Sequence, residues 1–352
     1  MSNRRKILFV WTGVTSYMAD CWRALSRYKD VEVKVIIDRT GTIGSIAFDE
    51  TTVLGGLDYV LVDGRVQDAR NQLEDWMPDV VFIVGWHSSV SRAFAQSVRY
   101  AAVPKVLVFD MPWEWRLRKF AARFVLARYL RHFMACYVPG MRAQRYARWL
   151  GFDRQMTFTG LFSVKAPSED WQGAETPDPF FLYVGRLSPE KRIRKLARSY
   201  LDYRKRCEGK PWKLVCCGMG VERHCLEGLK GVDLRGFLQP NEVHALQRQA
   251  GALVLTSSFD PWPLVILESV SVGLPIICTP VCGNHVELVG DNGIVTNDTT
   301  AAMLEMTNNY GHYRVAAKAA VSRARPYWSE AWASRTRQLV ETVLAKSGGC
   351  QV

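Results

Sequence analysis

The chain has 352 residues, 48% of them hydrophobic, and a formal net charge of +12. That length favours two domains over one, and no apolar run reaches the roughly 20 residues that span a bilayer. The charge calls for an anionic partner: nucleotide phosphates, an acidic membrane or nucleic acid.

The opening MSNRRKILFVWTG is basic and then apolar, with an apolar run too short for a secretory leader. It reads as a first buried strand in a cytosolic protein. SYMADCWRALSRY follows as a helix, VEVKVIID as a strand, DYVLVDG as a shorter strand and ARNQLEDWM as a helix. DVVFIVGW is a strand, SRAFAQSVRYAA a helix and KVLVFD a strand. This alternation predicts a parallel sheet covered by helices. The polar stretch at 166–179 reads as a linker. The alternation then restarts: FFLYVG is a strand, 190–206 a basic helix, KLVCCG a strand, CLEGL a helical turn, VDLRG a strand and NEVHALQRQA a helix. GALVLTSS and LPIICTP are strands flanking a short apolar helix. A long helical tract from about 312 is broken near Pro326. The expected fold class is α/β, with two doubly wound Rossmann-like domains facing a cleft. The expected division is 1–165, linker 166–179, 180–311, and a tract 312–352 that crosses back to the first domain.

Nine cysteines form no regular framework, and Cys216 and Cys217 are adjacent inside an apolar strand. Free thiols in a reducing compartment are the reading. Cys278, Cys282 and His285 lack a CxxC pair and a fourth ligand, so no metal site is expected.

Three motifs carry candidate chemistry. GRLSPEK at 185–191 puts Gly185, Arg186 and Lys191 between a strand end and a helix start, where two cations and free N–H groups suit a diphosphate. The alternative is a solvated basic turn. CCGMG sets Gly218 and Gly220 after another strand, where glycine permits close backbone approach to a ligand or simply makes a turn. Asp260 and Glu268 stand eight positions apart across a loop and a helix start near Pro263. Glu268 sits in the apolar run VILESVSVG, and a carboxylate there needs a partner. The competing reading is a dipole-favoured acid in the loop and a surface glutamate.

Taken together, GRLSPEK, CCGMG, RGFLQP and the D-x7-E segment followed by ESVSVGLPII resemble the donor domain of family 4 retaining glycosyltransferases, which have the GT-B fold. The likeness covers most of 180–298; Gly13 after the first strand, PDVVFIVGWH and VPGMRAQRYARWLGF extend it toward the N-terminus. The resemblance implies that Arg186 and Lys191 hold the donor diphosphate, that Glu268 binds the ribose and that Asp260 contacts the transferred sugar. Backbone near Phe237 and Leu238 would hold the base, and N–H groups near Leu264 and Val265 would face the phosphates. It also implies an acceptor-binding first domain. The chain departs from the family pattern with Asp260 in place of Glu and Pro263 in place of Gly. Asp110 stands where many relatives have histidine, and His87 follows the preceding strand; either is a candidate at the reacting centre, and either is equally readable as structural. No DxD motif stands at a strand end, so no metal or other cofactor is expected beyond the UDP- or GDP-sugar itself.

Between 113 and 133, Trp113, Trp115, Phe120, Phe124, Tyr129 and Phe133 interleave with Arg116, Arg118, Lys119, Arg123, Arg128 and Arg131. One amphipathic helix of that composition suits an anionic membrane surface, and a core helix with a basic outer face is the bland alternative. The leading expectation is a cytoplasmic enzyme, peripheral on the inner face of the membrane of a bacterium. It would extend a surface polysaccharide on a glycan or lipid-linked acceptor. A nucleotide-sugar epimerase of the same fold is the runner-up. No GxGxxG follows the first strand, which argues against a dinucleotide oxidoreductase. No helix–turn–helix, zinc or RNP pattern supports nucleic-acid binding.

Overall fold

A computed structural model describes residues 4–41, 50–71, 73–114, 117–167 and 179–348. The expected linker therefore lies largely outside the described residues, as do Trp115, Arg116 and the Arg118 side chain. The chain divides into two compact units. The first comprises Met1–Lys165 with Tyr327–Val352, and the second Ala166–Pro326.

The first unit holds a parallel sheet of seven strands: β1 Arg5–Thr12, β2 Val31–Asp38, β3 Tyr59–Val62, β4 Val80–Val84, β5 Lys105–Val108, β6 Ala135–Val138 and β7 Thr157–Thr159. Their order is β3-β2-β1-β4-β5-β6-β7. The inner strands are nearly continuous apolar runs because helices cover both faces. Phe9 of β1 stacks on Phe82 of β4 at 4.7 Å between ring centroids and meets Trp22 at 5.9 Å. Trp332 reaches the same ring at 6.2 Å, and its Nε1 donates to the Leu161 carbonyl at 2.7 Å. Trp332 belongs to helix Ser329–Gly348, so the end of the chain completes the core of the first unit.

The second unit holds six parallel strands: β8 Phe180–Val184, β9 Lys213–Cys217, β10 Val232–Gly236, β11 Ala252–Leu255, β12 Ile276–Cys278 and β13 Gly293–Val295. Their order is β10-β9-β8-β11-β12-β13. β8 pairs with β9 through Phe181↔Leu214 and with β11 through Leu253↔Leu182.

Several local expectations need correction. The helix expected over ARNQLEDWM is earlier and shorter, Val66–Asn71, and Leu73 and Trp76 enter the core from a turn closed by Trp76 N–H to Leu73 C=O at 3.1 Å. SRAFAQSVRYAA is split into helix Ser89–Ala95 and a 3-10 turn Val98–Tyr100. The tract from 312 does break near Pro326, as its sequence indicates. Helix Tyr310–Ala324 belongs to the second unit, and the chain rejoins the first only at Tyr327, after Arg325–Tyr327 form a 3-10 turn around Pro326. Proline lacks the N–H that would carry the helix through.

Candidate functional site

The second sheet reverses direction between β8 and β11. From β8 the chain steps outward to β9 and β10, then returns to β8's other side with β11. In open parallel sheets the crevice at such a reversal, at the carboxyl ends of the strands, is where ligands bind. The loop carrying Arg186 and Lys191 leaves β8 there, and the loop carrying Asp260 leaves β11.

Hydrogen bonds stitch these two loops together. Ser258 donates from its N–H (2.7 Å) and its hydroxyl (3.0 Å) to the Glu190 carbonyl. The Thr256 hydroxyl donates to the Lys191 carbonyl at 2.9 Å. Arg192, where helix Ile193–Arg206 begins, has φ 54°, the left-handed region, and is the sole non-glycine residue with positive φ among the described residues. That conformation costs a side-chain-bearing residue about 1–2 kcal/mol, and the Thr256 and Ser258 hydroxyls, just after β11, help to offset it by fixing the turn.

The turn presents the Lys191 ammonium to Asp260, with Nζ–Oδ2 at 2.5 Å. The two side chains keep only 17% and 11% of their exposure. Burial pushes the Asp260 carboxyl above its ordinary value, and the Lys191 charge and hydrogen bond pull it back only in part. Arg186 is more exposed and pairs with Glu190 at 2.9 Å, while the Ser188 hydroxyl donates to the same carboxylate oxygen at 2.7 Å. Burial would raise the Glu190 carboxyl; Ser188, a backbone N–H and the two cations outweigh it, so this group sits below its ordinary value. The site thus holds two cations, each matched to an acid. Glu190 was not singled out in the sequence, although it lies inside GRLSPEK.

The glycines act through loop packing. At Gly218, φ +142°, an added Cβ would stand 1.9 Å from the Gly185 carbonyl oxygen; at Gly220, φ +156°, it would stand 2.3 Å from that of Leu187. Gly185 N–H donates to Cys217 (3.0 Å) and Leu187 N–H to Met219 (2.8 Å), so the loops after β8 and β9 form one layer. Gly283, passed over in the sequence, does the same beside β12. Its N–H donates to the Asp260 carbonyl at 2.8 Å, and a Cβ there would meet the Pro261 carbonyl oxygen at 1.8 Å.

Pro263 precedes helix Leu264–Ser271 as its N-cap, one position earlier than a proline opening the helix. Its carbonyl accepts from Ile266 N–H (3.0 Å) and from the buried Asn284 amide (2.8 Å). Leu264 and Val265 begin the helix, half-buried, with the first-turn N–H groups that a helix leaves without intrahelical acceptors. Glu268 lies just beyond the first turn. Gln247 of helix Pro240–Gln249 donates to it at 3.3 Å. Burial raises its carboxyl, opposed by His244 and Gln247. Phe237 and Leu238 lie, half-buried, in the loop between β10 and helix Pro240–Gln249. Of the trio set aside as a metal site, the Cys282 Sγ lies 3.8 Å from the Thr279 hydroxyl, and His285 Nδ1 lies 2.7 Å from the Cys282 carbonyl oxygen.

The first unit has its own reversal, between β1 and β4. Gly13, buried at φ 73°, closes the end of β1 with its N–H on the Asp38 carbonyl at 3.0 Å. His87 is exposed in the loop after β4, with its ring 5.6 Å from that of Trp86. Asp110 is half-buried two residues after β5. Both candidates therefore lie at carboxyl ends of neighbouring strands. The sequence reading missed Asp38, fully buried at the end of β2. Its carboxylate accepts from the Ser88 hydroxyl (2.6 Å), and from the Thr40 N–H (3.0 Å) and hydroxyl (2.6 Å). Burial alone would raise it, and these donors bring it below its ordinary value. Ser88 also caps helix Ser89–Ala95 by accepting from Val90 and Ser91 N–H, so Asp38 anchors the His87 loop. The available signal was a carboxylate closing the apolar run Val35–Ile37 at the end of the strand.

The basic–aromatic stretch is two helices, Leu117–Val125 and Ala127–Leu130, where one was expected. Tyr129 and Phe133 turn into the core, and Trp113 packs against it. Lys119 is buried, with its ammonium donating to the Pro112 carbonyl at 3.0 Å and lying 4.8 Å from the Tyr146 ring. Phe120 and Phe124 remain exposed.

Residues 167–307 match the family described as glycosyl transferases group 1, a span that includes every site residue named in the second unit. Among curated proteins, the O-antigen chain mannosyltransferase B of Escherichia coli is 27% identical over 184 residues, covering 48% of this chain and 45% of that protein. The amylovoran biosynthesis glycosyltransferase AmsD of Erwinia amylovora is 29% identical over 121 residues, 33% of each. These alignments span less than half the length of the curated relatives. Solved structures match nearly end to end. The Anabaena protein HepE in complex with UDP superposes with a TM-score of 0.73 at 16% identity, covering 97% of this chain and all of that one. The lipopolysaccharide outer core galactosyltransferase WaaB superposes at 0.68 and 15%, covering 96% and 99%. At that identity the likeness defines the fold: α/β, of the GT-B type, with two doubly wound parallel sheets.

Proposed function

We propose that this protein is a retaining glycosyltransferase, of the family 4 type, that moves a sugar from a UDP- or GDP-sugar to a glycan acceptor. The observation that carries the reading is the reversal between β8 and β11, where Arg186 and Lys191 stand beside Asp260, with Leu264, Val265 and Glu268 following on the next helix. Diphosphate oxygens would take the place of Glu190 and Asp260 as partners of the two cations. The first-turn N–H groups at Leu264 and Val265 would add dipole and hydrogen bonds. Glu268 would accept from the ribose hydroxyls, and the Phe237–Leu238 loop would hold the base. Asp260, released from Lys191, would accept from a hydroxyl of the transferred sugar.

Charge stabilisation of the departing diphosphate by Arg186 and Lys191 is then the main catalytic effect. The leaving phosphate oxygen takes the acceptor hydroxyl's proton on the face it vacates, so configuration is kept. No resident metal is invoked; the two cations do that work. The first unit, with His87 and Asp110 at its strand ends, would receive the acceptor. The named relatives in O-antigen and amylovoran synthesis support surface-polysaccharide assembly; in this reading the acceptor would be carried on a lipid at the inner face of the cytoplasmic membrane. Among the described residues no helix is long and apolar enough to cross a membrane; contact would be peripheral, through 113–133.

The test is a thermal-shift panel with UDP, GDP, ADP and NAD. A nucleotide at about 100 times its dissociation constant adds roughly 2.7 kcal/mol. A shift with UDP or GDP that Arg186→Ala abolishes supports the donor site and selects the base. A shift with NAD alone overturns it.

A further inference from the structure

The donor site leaves the basic half of the first unit unused. From Trp115 to Phe152 the chain contains nine Lys and Arg and no Asp or Glu. In helix Leu117–Val125 the apolar positions 117, 120, 121, 124 and 125 recur at helical spacing and share one face. That face is bare: Leu117 is 89% exposed, Phe124 68% and Val125 78%. The opposite face is anchored by buried Lys119 and by Ala122, which packs on the core. The Phe120 ring, 4.7 Å from that of Trp149, ties the helix to Met141–Leu150.

Beside this face lies an open cleft of about 290 Å³, walled by Ala127, Leu130, Phe133 and Phe152 and flanked by Arg123 and Arg131. Arg123 is steadied by the Trp149 carbonyl at 3.4 Å and by the Trp149 ring. Arg128, Arg131, Arg145 and Arg148 have no ion-pair partner among the described residues. Guanidinium groups without ion-pair partners, next to exposed aliphatic and aromatic side chains, make a two-part surface.

We propose that this face docks on an anionic lipid bilayer: Leu117, Phe124 and Val125 enter the acyl boundary, and a lipid phosphate seats in the Arg123–Arg131 cleft. The proposal deepens the membrane part of the function proposed above and rests on it only for the acceptor's location. Charge alone would also suit RNA. Leu117 and Val125, however, offer no ring for a base to stack on, and they lose only by exposure to water. A bilayer satisfies both parts at once.

The experiment is flotation of the full chain with vesicles of phosphatidylcholine alone and with 30% phosphatidylglycerol, at low and high salt, with the UDP thermal shift run beside it. Each arginine near an anionic surface is worth about fivefold in partitioning, so Arg128→Glu/Arg131→Glu should lower binding by well over tenfold. Phe124→Ser should lower it roughly tenfold on the anionic vesicles. Binding that requires the anionic lipid and falls in both variants is the result expected. Equal flotation with phosphatidylcholine overturns the arginine cleft. Absence of flotation at low salt, or flotation unchanged in both variants, overturns the docking face. In either case a UDP shift leaves the donor-site reading standing, and a variant that has lost the UDP shift is replaced by Phe124→Leu/Val125→Thr to separate misfolding from lost docking.

Discussion

Replacing Lys191 with methionine separates the ion pair from the packing that surrounds it. The aliphatic stem is retained, and the ammonium 2.5 Å from Asp260 is lost. Asp260 then keeps its burial, with 11% of its side chain exposed, but loses its counter-charge. Breaking a buried pair by removing one partner costs about 3–5 kcal/mol; the residual exposure of both groups puts this pair at the lower end, about 3 kcal/mol. For a unit of this size that is a fall of roughly 6–12 °C in Tm. The pH dependence has a definite sign. The Asp260 carboxyl is already above its ordinary value, so the folded state holds that proton more tightly than the unfolded state does. Stability is then lost as pH rises through the folded value, and without Lys191 that value moves higher still. The deficit of Lys191→Met should be small at pH 4, grow toward pH 8, and shrink when Asp260→Asn is added. Denaturant titrations of the two single variants and the double variant at both pH values measure this. A deficit below about 0.5 kcal/mol at pH 8 refutes the reasoning, as does a double variant no more stable than Lys191→Met.

Three other outcomes are expected. Gly218→Ala should destabilise the protein by several kcal/mol and abolish the UDP shift, because its Cβ would collide with the Gly185 carbonyl; Gly228→Ala, with open space around it, should cost only about 1–2 kcal/mol for its backbone conformation. Glu268→Gln should weaken nucleoside diphosphate binding by about 10- to 100-fold in calorimetry, the value of hydrogen bonds to a charged acceptor, with Tm of the unliganded protein nearly unchanged. Asp38, held below its ordinary value, contributes stability that is present above the unfolded carboxyl range near pH 4 and lost as pH falls through the folded value. Asp38→Asn should therefore flatten the acid limb of a stability–pH curve between about pH 4 and pH 2.

Ten of the thirteen strands were readable, most of them as apolar runs, since a strand buried on both faces is largely apolar. β6, β7 and β13 were passed over: TFT and GIV carry no period, whereas ACYV is as apolar as the four-residue strands that were read. At the candidate site, Glu268 was legible because a charge in an apolar setting demands a partner, Lys191 because it lies between a strand end and a helix start, and Asp260 because it lies in the loop before the next helix. Their partners were not. Glu190 lies four residues from Arg186, a spacing that also fits a plain surface pair. Thr256 and Ser258 act across a strand pairing that the sequence does not specify. Gly218 and Gly220 were visible as glycines, but the reason for them was a second loop brought alongside by the fold.

The strand order explains why the cation and the acid meet at all. Lys191 and Asp260 are 69 positions apart in sequence, yet β8 and β11 are neighbours because the second half of the sheet starts afresh on β8's other side. The same reversal leaves a gap between the two outgoing loops, which no crossover helix fills. A cation on one lip and a carboxylate on the other would close that gap on each other, as they do in this structure. The left-handed turn at Arg192 and the hydroxyls of Thr256 and Ser258 fix the cation's lip, while the Gly283 N–H fixes the carboxylate's. Both backbones are thus held independently of the ion pair. A ligand able to satisfy the ammonium and the carboxylate separately, an anion for one and a hydroxyl for the other, could part the two side chains without moving either loop. A phosphorylated sugar carries both groups, which is what the proposed function would ask of this junction.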